Sequence, residues 1–122
     1  MREVHVAEKL HALTMPRRRP NSRVKDLPDI ALLATTGPFR SDPLREAIDV
    51  TFAQRGTHVL PTSLSDPPEP WREPYEYMAQ GNRLRWASLD EVAEAVRAFL
   101  DPVLRGNEGI WDPQTWSWLP RP

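Results

Sequence analysis

The feature that most limits how this chain can fold is its proline content. Fourteen of the 122 residues are proline, about twice the average usage. Proline lacks a backbone N–H and disfavours helical geometry in the residue before it. The prolines stand between segments of periodic hydrophobicity and do not form a low-complexity tract. The sequence therefore predicts several short helices joined by stiff, extended connectors.

Five segments place apolar side chains at helical spacing. They span residues 3–13, 24–34, 41–55, 75–80 and 88–101. The last begins with Ser88 and Glu91, whose spacing is that of a capping box. Pro28 interrupts the second segment and leaves two starts open. Either Asn21 or Ser22 caps a helix that kinks at Pro28, or the helix starts near Pro28 and holds it in the first turn.

The remaining segments complete a mainly α-helical prediction. Ser41 and the residues after it resemble a helix start, and Gly56 stops that helix. Residues 57–64 alternate weakly and predict a short extended segment, and residues 66–71 form a rigid connector. The predicted fold is a small helical bundle with irregular Pro-rich connectors over residues 1–105. An irregular, aromatic, Pro-rich tail over residues 106–122 follows it.

Several classes of site are disfavoured by the composition. The absence of cysteine excludes disulfides and thiolate metal sites. His5 and His11 are six residues apart, which does not place them on one helix face as a metal-binding pair, so surface or packing roles are favoured. No apolar run approaches the length of a membrane span, so we expect no membrane partner and a cytoplasmic location.

One group of residues could carry phosphate chemistry. Lys9 lies on the first predicted helix, and Arg23, Lys25, Asp26 and Asp29 lie at the start of the second. A lysine can neutralise phosphate charge, and a carboxylate can orient a hydroxyl, accept its proton or hold the lysine. Residue types alone favour a simpler interpretation, in which these residues form salt bridges between two helices on the protein surface.

A basic loop precedes this group. Arg17, Arg18 and Arg19 are followed by Arg23 and Lys25 with no acidic residue between them. Such a loop could bind an RNA backbone or nucleotide phosphates, although composition slightly favours a solvated loop. The tail contains Trp111, Trp116 and Trp118, which could stack on bases but more often cover the edge of a core.

Two stretches identify a family resemblance. Residues 7–13 read AEKLHAL, and residues 23–30 read RVKDLPDI. A helix of the first kind followed by an R-x-K-D-x-x-D helix start, with a basic loop between them, resembles the AbiEii/AbiGii nucleotidyltransferase toxins. Leu60-Pro61, residues 67–71 and residues 111–113 also resemble the C-terminal region of this family. The resemblance covers nearly the whole chain.

The resemblance implies a toxin that transfers a nucleotide from a nucleoside triphosphate to an RNA such as tRNA. It also implies a polymerase-beta-like fold, a cognate antitoxin and a role in abortive infection of phage-infected cells. The active lysine and aspartate of the family map onto Lys9 and Asp26, with Arg23 and Lys25 as phosphate contacts. Arg17, Arg18 and Arg19 are the expected RNA contacts. Mg²⁺ and a nucleoside triphosphate are the cofactors of the full-length family.

The chain departs from the family pattern in two ways. It contains neither the Gly-Ser dipeptide nor the Asp-x-Asp pair that supply the metal site of the family. Pro28 stands where the family more often has an aromatic residue, which could shift the helix that presents Asp26. We therefore expect the chain alone to hold no metal or cofactor and to be inactive. The alternative function is a non-catalytic helical module that binds the antitoxin or RNA.

The position of Met1 just before the AEKLHAL helix suggests three origins. They are a truncated gene, a misplaced start codon, and a split protein whose N-terminal half is encoded separately. Each of them predicts that the first helix has lost a packing partner. We therefore expect Val6, Leu10 and Leu13 to form an exposed apolar face.

Overall fold

The computed structural model describes residues 1–16 and 23–121, which form five α-helices and one β-hairpin. The elements are α1 (Arg2–Thr14), α2 (Asp26–Ala34), α3 (Ser41–Arg55), α4 (Arg72–Gly81), α5 (Leu89–Leu104), β1 (Ile110–Asp112) and β2 (Ser117–Leu119). A 3₁₀ turn, Glu69–Trp71, precedes α4. The predicted mainly α-helical class is confirmed. None of the helices in the described part of the chain is both long and apolar enough to span a membrane.

The start of α2 decides between the two interpretations of Pro28. The helix begins at Asp26, so Pro28 is its third residue and lies in the first turn. Backbone N–H groups in the first turn of a helix have no partner within the helix, so the missing N–H of proline costs little there. The two candidate caps, Asn21 and Ser22, lie outside the described residues.

The apolar face of α1 is covered. α1 packs against α3 and α2, and α2 packs against α5. Val6 and Leu10 are fully buried in the resulting core, and Leu13 is partly buried against it. The expectation of an exposed face along Val6, Leu10 and Leu13 is therefore wrong, because α3, which is distant in sequence, supplies the missing partner.

Three local predictions for α3 and α5 can be compared with the structure. Gly56 ends α3 in the left-handed conformation with φ 61°, as expected, and Ser88 and Glu91 make the capping box of α5. However, α5 continues through Pro102 to Leu104. Arg45 donates hydrogen bonds to the carbonyls of Val103 and Leu104, at 2.9 and 3.0 Å, and thereby stabilises the last turn.

The C-terminal tail is more ordered than expected, because β1 and β2 pair as an antiparallel hairpin. Trp111 is fully buried, and its indole N–H donates to the carbonyl of Ala34 at 2.9 Å. The indoles of Trp116 and Trp118 donate to the carbonyls of Ala95 and Phe99 on α5. The packing interpretation of these tryptophans is confirmed. In contrast, residues 57–64 form no strand.

Candidate functional site

Lys9 of α1 meets two carboxylates at the start of α2. Its Nζ lies 2.9 Å from Oδ2 of Asp29 and 3.7 Å from Oδ1 of Asp26. The contact exists because α1 and α2 pack together, which brings their polar edges side by side. The side chain of Lys9 remains 37% exposed. An incoming anion can therefore reach its ammonium group.

Arg23 completes this group, which we call the Lys9 cluster (Lys9, Arg23, Asp26 and Asp29). Its Nε lies 2.8 Å from Oδ2 of Asp26, and its second nitrogen lies 3.2 Å from Oδ1. This two-point contact fixes both side chains in one plane. Asp26 is only 2% exposed and is the first residue of α2, where the helix dipole favours a negative charge.

The electrostatics of the cluster keep Lys9 charged. The hydrogen bond that Lys9 donates to Asp29, helped by the charges of both carboxylates, raises the pKa of Lys9 against the opposing effect of burial. A lysine with a raised pKa is a poor proton acceptor near neutral pH. Lys9 can therefore bind and neutralise an anion, but it cannot serve as a general base.

A groove of about 390 Å³ runs along the exposed side of the cluster, between α1 and the end of α3. Its lining is rich in basic and ionisable side chains, namely His5, Glu8, Lys9, His11, Arg23 and Arg55. Arg55 is ion-paired with Glu8, which links α3 to α1 beside the groove. The groove thus presents Lys9 and Arg23 on a surface that is open to solvent.

The structure brings some of the predicted site residues together and leaves others apart. Lys9, Arg23 and Asp26 come together, and Asp29 is the nearest carboxylate to Lys9. Lys25 precedes α2, is exposed, and lies outside the ion pairs found among the described residues. The predicted RNA contacts Arg17, Arg18 and Arg19 fall outside the described residues.

The carboxylates of the cluster do not suit Mg²⁺. Both oxygens of Asp26 face Arg23, and Asp29 is bound to Lys9. A magnesium ion needs carboxylate oxygens that are free to approach it, together with waters and phosphates. Within residues 1–16 and 23–121, no three His, Cys, Asp or Glu side chains are grouped so that they could hold a metal ion.

A second polar group was not foreseen from the sequence. Oγ1 of Thr57 lies 2.8 Å from Nε2 of His11 and 2.9 Å from Nδ1 of His58, and Nε2 of His58 lies 2.8 Å from Oγ1 of Thr14. The Thr14 hydroxyl donates to the carbonyl of Leu10, so it can only accept from His58. With neutral rings, Thr57 then donates to His58 and accepts from His11.

This hydrogen-bonded chain favours an uncharged His58. Burial, followed by the charge of His11, lowers the pKa of His58. The two rings are 4.7 Å apart, so a charge on both would be repulsive. The residue types alone contained no periodic or spacing signal for this contact, because Thr57 and His58 follow the end of α3.

A protein-family comparison identifies the family of this chain. The family model described as nucleotidyl transferase AbiEii toxin, type IV toxin–antitoxin system, matches residues 2–118. The chain therefore belongs to the AbiEii nucleotidyltransferase toxin family, and membership of a toxin–antitoxin family implies an antitoxin partner. Comparisons with curated proteins and with solved structures gave no match.

Proposed function

We propose that this chain is the C-terminal portion of a nucleotidyltransferase and that it provides the phosphate-binding side of the active site. The observation that carries the proposal is the pairing of Lys9 and Arg23 around Asp26 in a member of the AbiEii family. Phosphoryl-type transfer depends mainly on positioning and on stabilisation of negative charge, and two fixed cations supply both. The substrate would be a nucleoside triphosphate and the acceptor an RNA such as tRNA, in the cytoplasm.

Lys9 and Arg23 would bind the triphosphate. Both side chains are about one third exposed and border the groove between α1 and α3. A triphosphate oxygen that approaches Lys9 competes with Asp29, which is exposed enough to exchange its ion pair for water. Lys25 and the arginines 17–19 would add phosphate and RNA contacts by charge alone.

Asp26 would act as a positioning residue. Because it is buried and accepts both hydrogen bonds from Arg23, it has no free oxygen to offer to a substrate. Its role would be to hold the guanidinium of Arg23 and the ammonium of Lys9 in place for the phosphates. The family resemblance assigns Asp26 to the catalytic residues. In this proposal it contributes by positioning the two cations and does not accept a proton.

Residues 1–122 alone would not transfer nucleotides. The Mg²⁺ that the family resemblance implies would need carboxylates to hold it near the phosphates, and the chain has no Asp-x-Asp pair or Gly-Ser dipeptide to supply them. The carboxylates of the Lys9 cluster are already neutralised by cations. Activity would require metal-binding carboxylates from outside these residues, such as those of an N-terminal half.

The test is a transfer assay with labelled nucleoside triphosphates, Mg²⁺ and total tRNA. We expect no labelled RNA with the chain alone. When a family fragment that carries Gly-Ser and Asp-x-Asp is added, we expect label to appear on RNA. Lys9→Ala should then lower the rate by about two orders of magnitude, the usual loss for a removed charge-stabilising group.

Arg105→Ala is the matched control, since Arg105 is an exposed cation that follows α5. It should leave the regained activity unchanged. Transfer by the chain alone, or regained transfer that survives Lys9→Ala, would contradict the proposal. Binding of RNA or antitoxin with no regained transfer would instead support the non-catalytic binding module.

A further inference from the structure

A cavity of about 230 Å³ lies between the helices of the Lys9 cluster and the connector that joins α3 to the 3₁₀ turn. We propose that this connector cavity binds the base of the nucleoside triphosphate whose phosphates contact Lys9 and Arg23. The inference rests on the proposed function and adds to it the part of the site that selects the nucleotide.

The first argument is position. Lys9 and Leu13 are four residues apart on α1 and therefore lie on the same helix face, with their Cβ atoms about 6 Å apart. Leu13 lines the cavity, and so does Leu27, the residue directly after Asp26. The cavity and the Lys9 cluster are thus neighbours along α1, and each includes a residue from the first turn of α2. One ligand with an anionic end and an apolar end could occupy them together.

The second argument is the chemistry of the lining. Leu13, Leu27 and Trp71 form apolar walls, and Pro61 and Pro67 of the connector also line the cavity. Apolar walls of this kind suit the face of a nucleobase. Polar groups that could contact the edge of a base are present as well, including the exposed side chains of Ser63 and Ser65.

The size of the cavity favours a base over a larger ligand. Pockets for drug-sized ligands have volumes of roughly 300–1,000 Å³, and this cavity is smaller. A single base with part of its ribose fits such a volume, whereas the charged phosphates would remain outside. The phosphates would then be free to reach Lys9, which faces solvent.

The third argument is that the connector wall is held in place. The backbone N–H of Leu64 donates to Oδ1 of Asp101 at 2.9 Å, and the Leu64 carbonyl accepts from Arg97 at 3.3 Å. Arg97 is also ion-paired with Asp66. At the opposite rim, His58 is hydrogen-bonded to Thr14 of α1. A preformed cavity avoids the entropic cost of ordering a loop around its ligand.

The test is a titration of the full chain with four nucleosides and their triphosphates. The amide and indole NMR signals of the chain are recorded at each step. The probes are adenosine, guanosine, cytidine and uridine. We expect at least one nucleoside to shift the signals of Trp71 and Ser63, and its triphosphate to shift the same signals at a lower concentration. Absence of these shifts for every nucleoside would overturn the proposal.

Two tryptophan substitutions provide a matched comparison. Ser63→Trp should fill the cavity and weaken both the nucleoside and its triphosphate by about tenfold, the scale of one lost base-stacking contact. Thr62→Trp places the same side chain on the neighbouring exposed residue, which does not line the cavity, and should leave both affinities unchanged. Equal effects of the two substitutions would overturn the proposal.

Lys9→Ala separates this inference from the proposed function. It should weaken the triphosphate and leave the nucleoside unaffected. If triphosphate affinity does not change, the phosphate role of Lys9 is wrong while the base cavity stands. A trinucleotide that ends in the same nucleoside identifies the source of the base. If the Trp71 signals shift with this RNA and not with the triphosphate, the assignment of the base to the triphosphate is overturned.

Discussion

Asp26 balances two cations from a buried position. Its carboxylate lies within 3.7 Å of Lys9 and makes a two-point contact with Arg23, while its own side chain is 2% exposed. A buried carboxylate with these partners is stabilised only as long as both cations remain near it. The residue therefore contributes to the stability of the α1–α2 contact as well as to the geometry of the site.

Replacement of Asp26 by Asn tests this role. Asp26→Asn keeps the shape of the side chain but removes its charge, so Arg23 and Lys9 lose their shared partner. We expect the free energy of unfolding to fall by about 1–3 kcal/mol, less than for a fully buried pair because both cations are partly exposed. Urea denaturation measures the change.

Asp49→Asn is the control for Asp26→Asn. Asp49 pairs with Arg45 one turn away on α3, and its side chain is 55% exposed. An exposed pair of this kind contributes about 0–1 kcal/mol. Equal losses for the two substitutions would show that the burial of Asp26 has no energetic consequence.

His58 should make stability depend on pH. Burial and the nearby His11 lower its pKa from the ordinary value of 6.5, so the folded state binds this proton less tightly than the unfolded state. The contribution of neutral His58 to the free energy of unfolding is therefore present above about pH 6.5. It is lost as the pH falls through the lowered pKa of the folded state. We expect the urea midpoint to decrease over that interval.

His58→Gln should reduce this dependence on pH. Its control is His5→Gln, which alters an exposed histidine of α1 and leaves the hydrogen-bonded chain intact. The control should retain the decrease seen with the unaltered chain. A decrease that persists unchanged in His58→Gln would assign the effect to other groups.

At the scale of elements, the C-terminal hairpin is held by close backbone contacts. The N–H of Gly109 donates to Oγ of the buried Ser41 at 2.9 Å, and Trp111 N–H donates to the carbonyl of Phe39 at 2.8 Å. The chain before β1 therefore follows the start of α3. Gly109 also lies against the backbone of Leu119 in β2, which leaves no room for a side chain at this position.

Gly109→Ala should disturb the hairpin. A Cβ at this position would lie 2.6 Å from the carbonyl oxygen of Leu119, so the backbone of β2 would have to move. We expect a loss of about 1–3 kcal/mol in the free energy of unfolding, as for other overpacked sites. Thermal unfolding followed by tryptophan fluorescence is a suitable measurement.

Gly81→Ala is the matched glycine substitution. Gly81 is the last residue of α4, and no atom lies within 4 Å of the Cβ that alanine would add. Alanine has the higher helix propensity, so this change should be neutral or stabilising by up to about 1 kcal/mol. If both substitutions had the same effect, the close approach of Leu119 would not be the cause.

At the scale of the molecule, α1 is an integral part of the core. Val6 and Leu10 are fully buried, and α1 is also joined to α3 by the Glu8–Arg55 ion pair and to α2 by the Lys9 cluster. The helix is therefore expected to open only with the core. This distinguishes it from a helix that has lost its packing partner.

Hydrogen exchange measures this difference. We expect the amides of residues 6–10 to exchange about as slowly as those of residues 92–100 in α5, because both segments are buried in the same core. The exposed segment 53–57 at the end of α3 should exchange faster and serves as an internal reference. Fast exchange confined to α1 would show that this helix is only weakly attached.

The sequence by itself determined most helix positions and the family. Apolar periodicity, the Ser88 capping box and Gly56 are signals that act within a few residues, and the structure has helices at these places. The AEKLHAL and RVKDLPDI stretches indicated the nucleotidyltransferase toxins, which the match over residues 2–118 confirms. The sequence also named Lys9, Arg23, Lys25, Asp26 and Asp29 as one candidate group, of which Lys25 lies outside the Lys9 cluster.

Only the tertiary structure decided how these local elements meet. The contact between Lys9 and Asp29 joins residues that are 20 positions apart, and Thr57 and His58 reach α1 from the end of α3. The burial of Val6 and Leu10, the hairpin around Trp111 and the connector cavity likewise depend on distant partners. Local propensity acts over one or two turns of chain, whereas these features arise from the packing of apolar surfaces that are far apart in sequence.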